Sequence, residues 1–137
     1  MIFPEKYNLI RKLARDFAKN ELTAEILDEV EDTGIFPVEI QKKMAKAGLY
    51  GIKVPEKYGG QGSDHLAYAI AIEEIARASA VGSLYANSPN SLGGMPILIA
   101  GTEEQKLKYL KPMVEGEIVI PFGLTEPNGG SDSRDIR

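Results

Sequence analysis

Apolar residues at helical spacing predict an amphipathic helix at the start of the chain. Pro4 suits its first position, because the N–H that proline lacks would have no intrahelical partner there. The apolar face of this helix consists of Ile10, Leu13, Ala14, Phe17 and Ala18. A second, acidic helix is predicted over residues 25–31, and a third begins near Pro37. The third helix is expected to turn Val38, Met44 and Ala45 towards the core.

The middle of the chain combines an irregular loop with a strongly apolar helix. Residues 48–62 are rich in glycine and proline, which indicates a packed loop. Ser63 or Asp64 can cap the next helix by accepting hydrogen bonds from its first N–H groups. That helix, over residues 65–79, is apolar on nearly every side, and such a helix belongs in the middle of a bundle.

Two further helices complete a bundle. One is predicted over residues 82–100, where Pro89 and Pro96 remove backbone donors and should bend or interrupt it. Thr102 and Gln105 then have the spacing of a capping box, which predicts the start of a short last helix. Since every element to this point is helical, the sequence predicts a mainly α fold held together by a buried core.

After Gly116 the period of the pattern changes. Ile118, Ile120 and Phe122 alternate with other residues, and this spacing of β-branched and aromatic side chains predicts a strand. We therefore expect a helical domain over residues 1–116. Residues 117–137 are expected to be the first strand and turn of a β-rich domain that the chain begins and does not finish.

Composition narrows the classes of function. The chain has 137 residues and no cysteine, which excludes disulfide-stapled modules and cysteine-based metal sites. Its 16 basic and 20 acidic residues give a net charge of −4, which argues against nucleic acid as a partner. The apolar stretches are too short to span a membrane, and the N-terminus has no signal pattern, so the sequence predicts a cytoplasmic protein.

Most candidate reactive groups have an ordinary structural interpretation. His65 is the single histidine and has no visible ligand set, so no metal site is predicted. Glu73 and Glu74 are adjacent and point about 100° apart on a helix, so they are expected to form surface pairs with Arg77 rather than an acid pair. Residues 59–62 lack the Lys-Ser/Thr ending of a phosphate-binding loop, which favours a tight turn.

The most informative segment is residues 122–132. A strand end there presents backbone polar groups beside the hydroxyl of Thr125, and Pro127 enforces a turn. Glycines at 129–130 allow close approach of a ligand, and successive N–H groups with Ser131 could hold an anion. These features favour a site for a flat polar ring with a phosphorylated tail, although spacing alone is equally compatible with a plain strand and turn.

Residues 124–132 resemble the signature of the acyl-CoA dehydrogenase family, which is close to Leu-Thr-Glu-Pro-x-Ala-Gly-Ser-Asp. Gly129 stands where alanine is usual in the family. Three other stretches agree with the family in the same order along the chain: residues 51–60, 90–96 and 101–110. The resemblance therefore covers most of the chain.

This resemblance implies an FAD-dependent oxidoreductase of fatty acid metabolism that forms an α,β-double bond in an acyl-CoA thioester. In such proteins a glutamate removes the α-proton while the β-hydrogen leaves as hydride to the flavin N5. An N-terminal helical domain, a middle β-domain and a C-terminal helical domain surround the flavin. The resemblance further implies an acyl-CoA substrate, an electron-transfer flavoprotein as the acceptor of electrons, and a homo-oligomer for the full-length protein.

Site residues follow from the resemblance position by position. Those implied to contact FAD are Phe122, Leu124 and Thr125 at the isoalloxazine and Gly130 and Ser131 near the pyrophosphate. Ser131 is also implied to lie near the pantetheine–phosphate arm of the substrate, and Leu92 is implied to line the acyl pocket. Pro89 stands where a helical residue is usual in the family and is expected to alter the floor of that pocket.

The catalytic glutamate of most family members lies in the C-terminal domain, to which no segment here corresponds. Glu126 belongs to the signature turn and is not assigned that role. We therefore predict no catalytic residue in this chain, and we expect the chain alone to be inactive. Two alternatives stay open from the sequence: an enoyl-CoA reductase of the same family, and a non-catalytic helical module used for association.

Overall fold

A computed structural model describes residues 4–132 and 134. Seven α-helices lie in these described residues, and a 3-10 turn occupies Glu56–Tyr58. The helices are α1 (Glu5–Glu21), α2 (Ala24–Thr33), α3 (Val38–Lys46), α4 (His65–Ala78), α5 (Ala80–Asn90), α6 (Gly94–Ala100) and α7 (Glu103–Val114). None of the described helices combines the length and apolar character needed to cross a membrane. The described residues also contain no group of three or more potential metal-ligating side chains.

Helix α4 is the centre of the bundle, as its pattern predicts. It packs against α1 on one side and α5 on the other. Asp64 caps it, because the Ala67 N–H donates to Asp64 Oδ1 over 2.9 Å. The apolar side chains that α4 buries are Ala67, Ile70, Ala71 and Ile75. The mainly α fold is thereby confirmed.

The main core lies between α1, α3, α4 and the loop that follows α3. Its fully buried members include Ala14, Met44, Leu49 and Tyr50. Leu13 and Val38 were expected to face this core, but they are 45% and 55% exposed, because each lies at the edge of its helix's apolar face.

The predicted helix over residues 82–100 is divided into α5 and α6. Gly94 begins α6 so close to the last turn of α5 that a Cβ there would lie 1.9 Å from the carbonyl oxygen of Pro89. A second, smaller core then forms where α6 and α7 meet the loop, with Val54, Tyr58, Leu110 and Val114 buried. The capping box that starts α7 is present, with the Gln105 N–H donating to Thr102 Oγ1 over 3.2 Å.

The glycine-rich loop closes on itself. The N–H groups of Gln61, Gly62 and Ser63 donate to carbonyls within the loop, at 2.7, 2.9 and 2.7 Å. Backbone donors that are already paired cannot cradle a phosphate, so the prediction of a tight turn over residues 59–62 is confirmed.

The strand predicted over residues 118–122 is absent from the described structure. Residues 117–125 have no regular secondary structure, and the bridge that is present pairs Glu126 with Gly129. A strand needs a neighbour to accept its backbone hydrogen bonds, and the described residues provide none at this point. The proposed domain boundary near residue 116 stays a prediction.

The structure corrects the expectation that Glu74 lies at the surface. It is 4% exposed and accepts two hydrogen bonds from Arg15, at 2.8 and 2.9 Å, so that it joins α4 to α1 instead of pairing with Arg77 at the surface. Glu73 makes the predicted surface pair with Arg77, at 2.9 Å. Helix α4 is flanked on two sides, so its polar positions near α1 are covered even though the residues are charged.

The Glu74 pair predicts a pH dependence of stability. Hydrogen bonds from Arg15 hold the pKa of the Glu74 carboxyl below its ordinary value of 4.5, so the folded state binds this proton less tightly than the unfolded state. The contribution of the pair is therefore complete above about pH 4.5 and is lost as the pH falls below it. At neutral pH, Glu74→Gln is expected to lower the free energy of unfolding by about 1–2 kcal/mol, since the Arg15 side remains solvated.

Urea unfolding of both proteins at neutral pH and in acid measures this effect. The difference between wild type and Glu74→Gln should shrink as the pH falls through the acid range. Glu73→Gln, on the exposed neighbouring carboxylate, is the matched control and should change stability little at any pH. A Glu74→Gln difference that stayed constant with pH would contradict the assignment of a low carboxyl pKa.

Tyr50 carries a buried hydroxyl that has no hydrogen-bond partner in the described structure. The residue is 1% exposed, and burial raises the pKa of its phenol. Because an unpaired buried hydroxyl costs free energy, Tyr50→Phe is expected to stabilise the protein by about 1 kcal/mol. Thermal unfolding of the variant measures this change in stability. Tyr58→Phe is the control, because the Tyr58 hydroxyl donates to Glu103 at 2.9 Å and its removal should destabilise the protein. A destabilising Tyr50→Phe change would show that the hydroxyl has a partner.

Candidate functional site

The segment that follows α7, residues 117–122, runs back across α5 and is called the returning segment. Ser88 Oγ donates to the carbonyl oxygen of Ile120 over 2.9 Å. Gly93 lies against the same oxygen, and a Cβ built at Gly93 would come within 2.5 Å of it. The contact therefore depends on a glycine, because an ordinary side chain would push residue 120 away from the end of α5.

An open cavity of about 180 Å³ lies between α5 and this returning segment. One wall belongs to α5 and its C-terminal end and the other to the returning segment. The lining residues are Leu84, Tyr85, Ser88, Leu92, Val119, Ile120, Pro121 and Phe122. Two of the predicted site residues, Leu92 and Phe122, are thus brought together from positions 30 residues apart.

A second apolar cavity, of about 540 Å³, lies on the other side of the same segment. Helices α6 and α7 form most of it, through residues that include Ile97, Ala100 and Tyr109. Ile118 and Ile120 close it from the returning segment. Ile120 therefore lines both cavities and stands between them.

Asn90, the last residue of α5, binds the loop that follows α3. It is fully buried, and its Nδ2 donates to the Leu49 and Ala86 carbonyls at 2.7 and 2.9 Å. Its Oδ1 accepts from the Lys53 N–H at 3.1 Å. All of the side chain's polar atoms are therefore paired, and they tie the loop after α3 to the last turn of α5.

Aromatic contacts hold the α5 wall in place. The Tyr85 ring stacks on Phe36, with centroids 4.3 Å apart and an angle of 18° between the planes. On the neighbouring face of α5, the Tyr68 hydroxyl donates to Asn87 Oδ1. The orientation of the side chains that line the cavity is therefore fixed from behind by α4 and by the segment before α3.

The signature segment forms a turn of its own. The Glu126 N–H donates to the Gly129 carbonyl over 2.8 Å, and the Gly129 N–H donates back over 3.2 Å. Beyond this turn the chain folds back, so that a Cβ at Gly130 would be 3.7 Å from Thr125 Cγ2. Asp132 accepts hydrogen bonds from the Arg134 guanidinium at 2.9 and 3.0 Å, which lower the pKa of its carboxyl.

Residues 121–125 keep their binding groups available. Within the described structure none of their backbone N–H or C=O groups has a hydrogen-bond partner. Phe122 and Leu124 are 47% and 44% exposed, and nothing lies within 4 Å of a Cβ placed on Gly123. Apolar side chains beside open backbone groups and the Thr125 hydroxyl suit a flat ring that has a polar edge.

Not all of the predicted site residues converge. Leu92 and Phe122 share the first cavity, and Thr125 lies near Gly130. Ser131 is exposed and is not part of the lining that includes Leu92, although both were assigned to the substrate. The binding roles of all six predicted site residues remain predictions: Leu92, Phe122, Leu124, Thr125, Gly130 and Ser131.

The sequence analysis assigned no role to three residues that shape this site: Ser88, Asn90 and Gly93. Hydrophobic periodicity carries no information about them, because two are polar and one has no side chain. Their signal is the clustering of polar and glycine residues around Pro89, in the middle of the helix predicted over residues 82–100.

Comparison with known proteins identifies the architecture. The family described as acyl-CoA dehydrogenase, N-terminal domain, matches residues 4–117. In the solved structure of an acyl-CoA dehydrogenase complexed with FAD from Bacillus anthracis, the matching region is 34% identical, with a TM-score of 0.85. That match covers 96% of this chain and 22% of the dehydrogenase chain.

Two curated relatives have higher identity. The caffeyl-CoA reductase–Etf complex subunit CarC of Acetobacterium woodii is 59% identical over 133 residues, and a 3-(aryl)acrylate reductase of Clostridium sporogenes is 57% identical over 133 residues. In both cases the match covers 97% of this chain and 35% of the relative. The chain thus spans about a third of the length of these relatives.

Proposed function

Because this chain belongs to the acyl-CoA dehydrogenase family, as its N-terminal domain, we propose that it supplies one wall of a flavin and acyl-CoA site. The full-length enzyme interconverts a saturated acyl-CoA thioester and its α,β-unsaturated counterpart. The observation that carries the proposal is the meeting of Leu92 and Phe122 in one cavity, beside backbone groups of residues 121–125 that are open to a ligand.

FAD fits the residues that are present. Phe122 and Leu124 offer exposed apolar surface to a ring, and the N–H and C=O groups of residues 121–125 face no competing partner within the described chain. The Thr125 hydroxyl adds a donor at the same edge. When bound, FAD supplies the two-electron chemistry that links the two thioesters. Ser131 lies beyond the turn, where a hydroxyl can donate to a phosphate oxygen of the cofactor or of the thioester's pantetheine arm.

The chain's own residues position the substrate and exclude water from it. Leu92 and Phe122 bring apolar surface to the reacting end of the acyl group from the two walls of the cavity. Exclusion of water strengthens the hydrogen bonds made to the thioester and stops side reactions. We further propose that the group that moves the α-proton comes from another part of the full-length protein, which the absence of a carboxylate from the described lining of this cavity supports.

The relatives favour reduction as the working direction and an aryl-substituted acryloyl thioester as the substrate. The two relatives that are 59% and 57% identical are both named as reductases of caffeyl-CoA or of aryl acrylates. A cavity of about 180 Å³ with apolar walls has room for one aromatic ring. Dehydrogenation of a saturated thioester is the reverse reaction and is the second candidate, because the family is named for it.

We propose an electron-transferring flavoprotein as the protein partner. One relative is named as a subunit of an Etf complex. A solved structure described as an electron transferring flavoprotein of Acidaminococcus fermentans matches 98% of this chain, with a TM-score of 0.86.

Anaerobic spectroscopy of the full-length protein tests the proposed function. We expect the purified protein to retain FAD, cinnamoyl-CoA to reoxidise the reduced flavin, and butyryl-CoA to reduce the oxidised flavin more slowly. Absence of bound flavin, or a flavin inert to both thioesters, would contradict the proposal. The 137-residue chain alone should retain flavin weakly and turn over neither substrate, and robust turnover by it would show that the proton-transferring group lies within it.

Leu92→Ala should raise the KM for cinnamoyl-CoA by about tenfold, because Leu92 is 46% exposed without ligand and its truncation removes roughly 1–3 kcal/mol of apolar contact with the bound acyl group. Leu9→Ala is the matched control, since Leu9 is 61% exposed on α1 and lines neither cavity. Steady-state kinetics of the two variants give the comparison. An equal effect from both variants would remove Leu92 from the pocket.

A further inference from the structure

The first cavity has apolar walls that carry two side-chain hydroxyl groups, those of Tyr85 and Ser88. The Ser88 hydroxyl is in use, because it donates to the Ile120 carbonyl oxygen over 2.9 Å. Within the described residues the Tyr85 hydroxyl has no hydrogen-bond partner. Tyr85 therefore supplies the side-chain hydrogen-bonding group of this described lining that is still available to a ligand.

The Tyr85 hydroxyl is also accessible. In the part of the chain that the structure describes, the enclosed side-chain hydroxyl without a partner belongs to Tyr50, which is 1% exposed, whereas Tyr85 is half-buried. A hydroxyl that is not enclosed hydrogen-bonds to water in the free protein. A ligand that displaces this water loses affinity unless it supplies an equivalent partner. The Tyr85 hydroxyl can thus distinguish ligands that carry a polar group from ligands that do not.

The ring of Tyr85 is held in one orientation. It stacks on Phe36 with centroids 4.3 Å apart, and Phe36 itself is 2% exposed. Since the C–O bond of a phenol lies in the plane of its ring, a fixed ring presents its hydroxyl in a fixed direction. Little side-chain freedom is then lost when the hydroxyl binds a partner.

Tyr85 lies further along the cavity from Leu92 than Ser88 does. Ser88 follows Tyr85 by three residues on α5, so the two share a face of the helix, with Ser88 one turn closer to Leu92. The proposed function puts the reacting end of the acyl group between Leu92 and Phe122. The far side of an aryl ring bound in this cavity therefore points towards Tyr85.

We propose that Tyr85 determines specificity for acyl-CoA thioesters whose aryl ring carries a hydroxyl group, through a hydrogen bond between that group and the Tyr85 hydroxyl. The inference rests on the proposed function, because it concerns the same cavity. A phenol both donates and accepts, so the pair can form in either sense. An unsubstituted ring displaces water from the Tyr85 hydroxyl and gives it no new partner, which weakens binding.

Steady-state kinetics of the full-length protein with 4-hydroxycinnamoyl-CoA and cinnamoyl-CoA test this proposal. We expect the wild-type KM to be about tenfold lower for the hydroxylated thioester. In Tyr85→Phe the preference should fall to about twofold or less, because phenylalanine keeps the stack on Phe36 and lacks only the hydroxyl. Tyr50→Phe is the matched control: Tyr50 belongs to the core against which Tyr85 packs and does not line the cavity, so the wild-type preference should persist.

Three outcomes would overturn the proposal. They are a wild type with no preference for the hydroxylated thioester, a preference that Tyr85→Phe leaves at the wild-type value, and an equal loss of preference in Tyr50→Phe and Tyr85→Phe. A failure of the proposed function is distinguishable, because the flavin would then be inert to both thioesters. If the inference alone is wrong, both thioesters react and their KM ratio does not depend on Tyr85.

Discussion

An Asn90→Ala variant is expected to lose about 3 kcal/mol of unfolding free energy, a large share of the stability of a domain this size. The substitution removes the partners of two backbone groups, the buried Leu49 carbonyl and the partly buried Lys53 N–H. Each unpaired buried group costs about 1–3 kcal/mol, and the truncated side chain leaves a void as well. Urea unfolding followed by circular dichroism measures the loss.

Asn20→Ala is the matched control for this prediction. Asn20 is exposed on α1, and alanine is a better helix former, so the variant should be neutral or slightly stabilised. Asn90→Asp provides a finer comparison, because aspartate keeps the acceptor for the Lys53 N–H and loses the donors to Leu49 and Ala86. If Asn90→Ala were no less stable than Asn20→Ala, the loop after α3 would not depend on this side chain.

A Gly93→Ala variant is expected to lower the affinity of the full-length protein for FAD by about tenfold or more, with the helical content unchanged. The new Cβ would meet the Ile120 carbonyl oxygen at 2.5 Å, a distance that real Cβ atoms do not adopt. The returning segment must therefore move away from α5, which breaks its hydrogen bond with Ser88 and displaces Phe122 from the cavity. Titration of the apoprotein with FAD measures the effect.

Ser88→Ala separates the two contacts that hold this segment. It removes the hydrogen bond to Ile120 and adds no bulk, so its effect on FAD affinity should be in the same direction and smaller. Gly123→Ala is the control for replacing a glycine near this segment, because nothing lies within 4 Å of the added Cβ. The readout is hydrogen exchange of the backbone amides of residues 117–122, which should not change in Gly123→Ala. Equal exchange in Gly93→Ala and Gly123→Ala would contradict the steric argument.

The sequence predicted the parts of the fold that depend on local physics. The central position of α4 follows from side chains that are apolar all round, and the caps at Asp64 and Thr102 follow from residue type and spacing. The burial of Glu74 could not be predicted in this way. Its partner Arg15 is 59 residues away, and only the packing of α1 on α4 brings the two charges together.

The candidate site, too, could be predicted from the sequence only in part. The signature segment was found from its motif, and the structure places Leu92 and Phe122 in one cavity, while the binding roles that the resemblance implied for them stay predictions. The contacts that create this cavity were not predictable, because Ser88 and Gly93 act on a backbone carbonyl, and a carbonyl has no sequence signal. The strand predicted over residues 118–122 is not formed in the described residues, since alternation shows which residues suit a strand and not whether a neighbouring strand is present to pair with it.

The place of Ile120 between the two cavities has a consequence for the length of a bound molecule. One branched side chain separates a space of about 180 Å³ from one of about 540 Å³. If the smaller space holds the acyl group, as we propose, the bulk of Ile120 limits the length of that group, whereas a smaller side chain would leave more room between the two cavities. Chain-length preference could then change by a single substitution in a segment outside the helices, with the bundle and its stability left as they are.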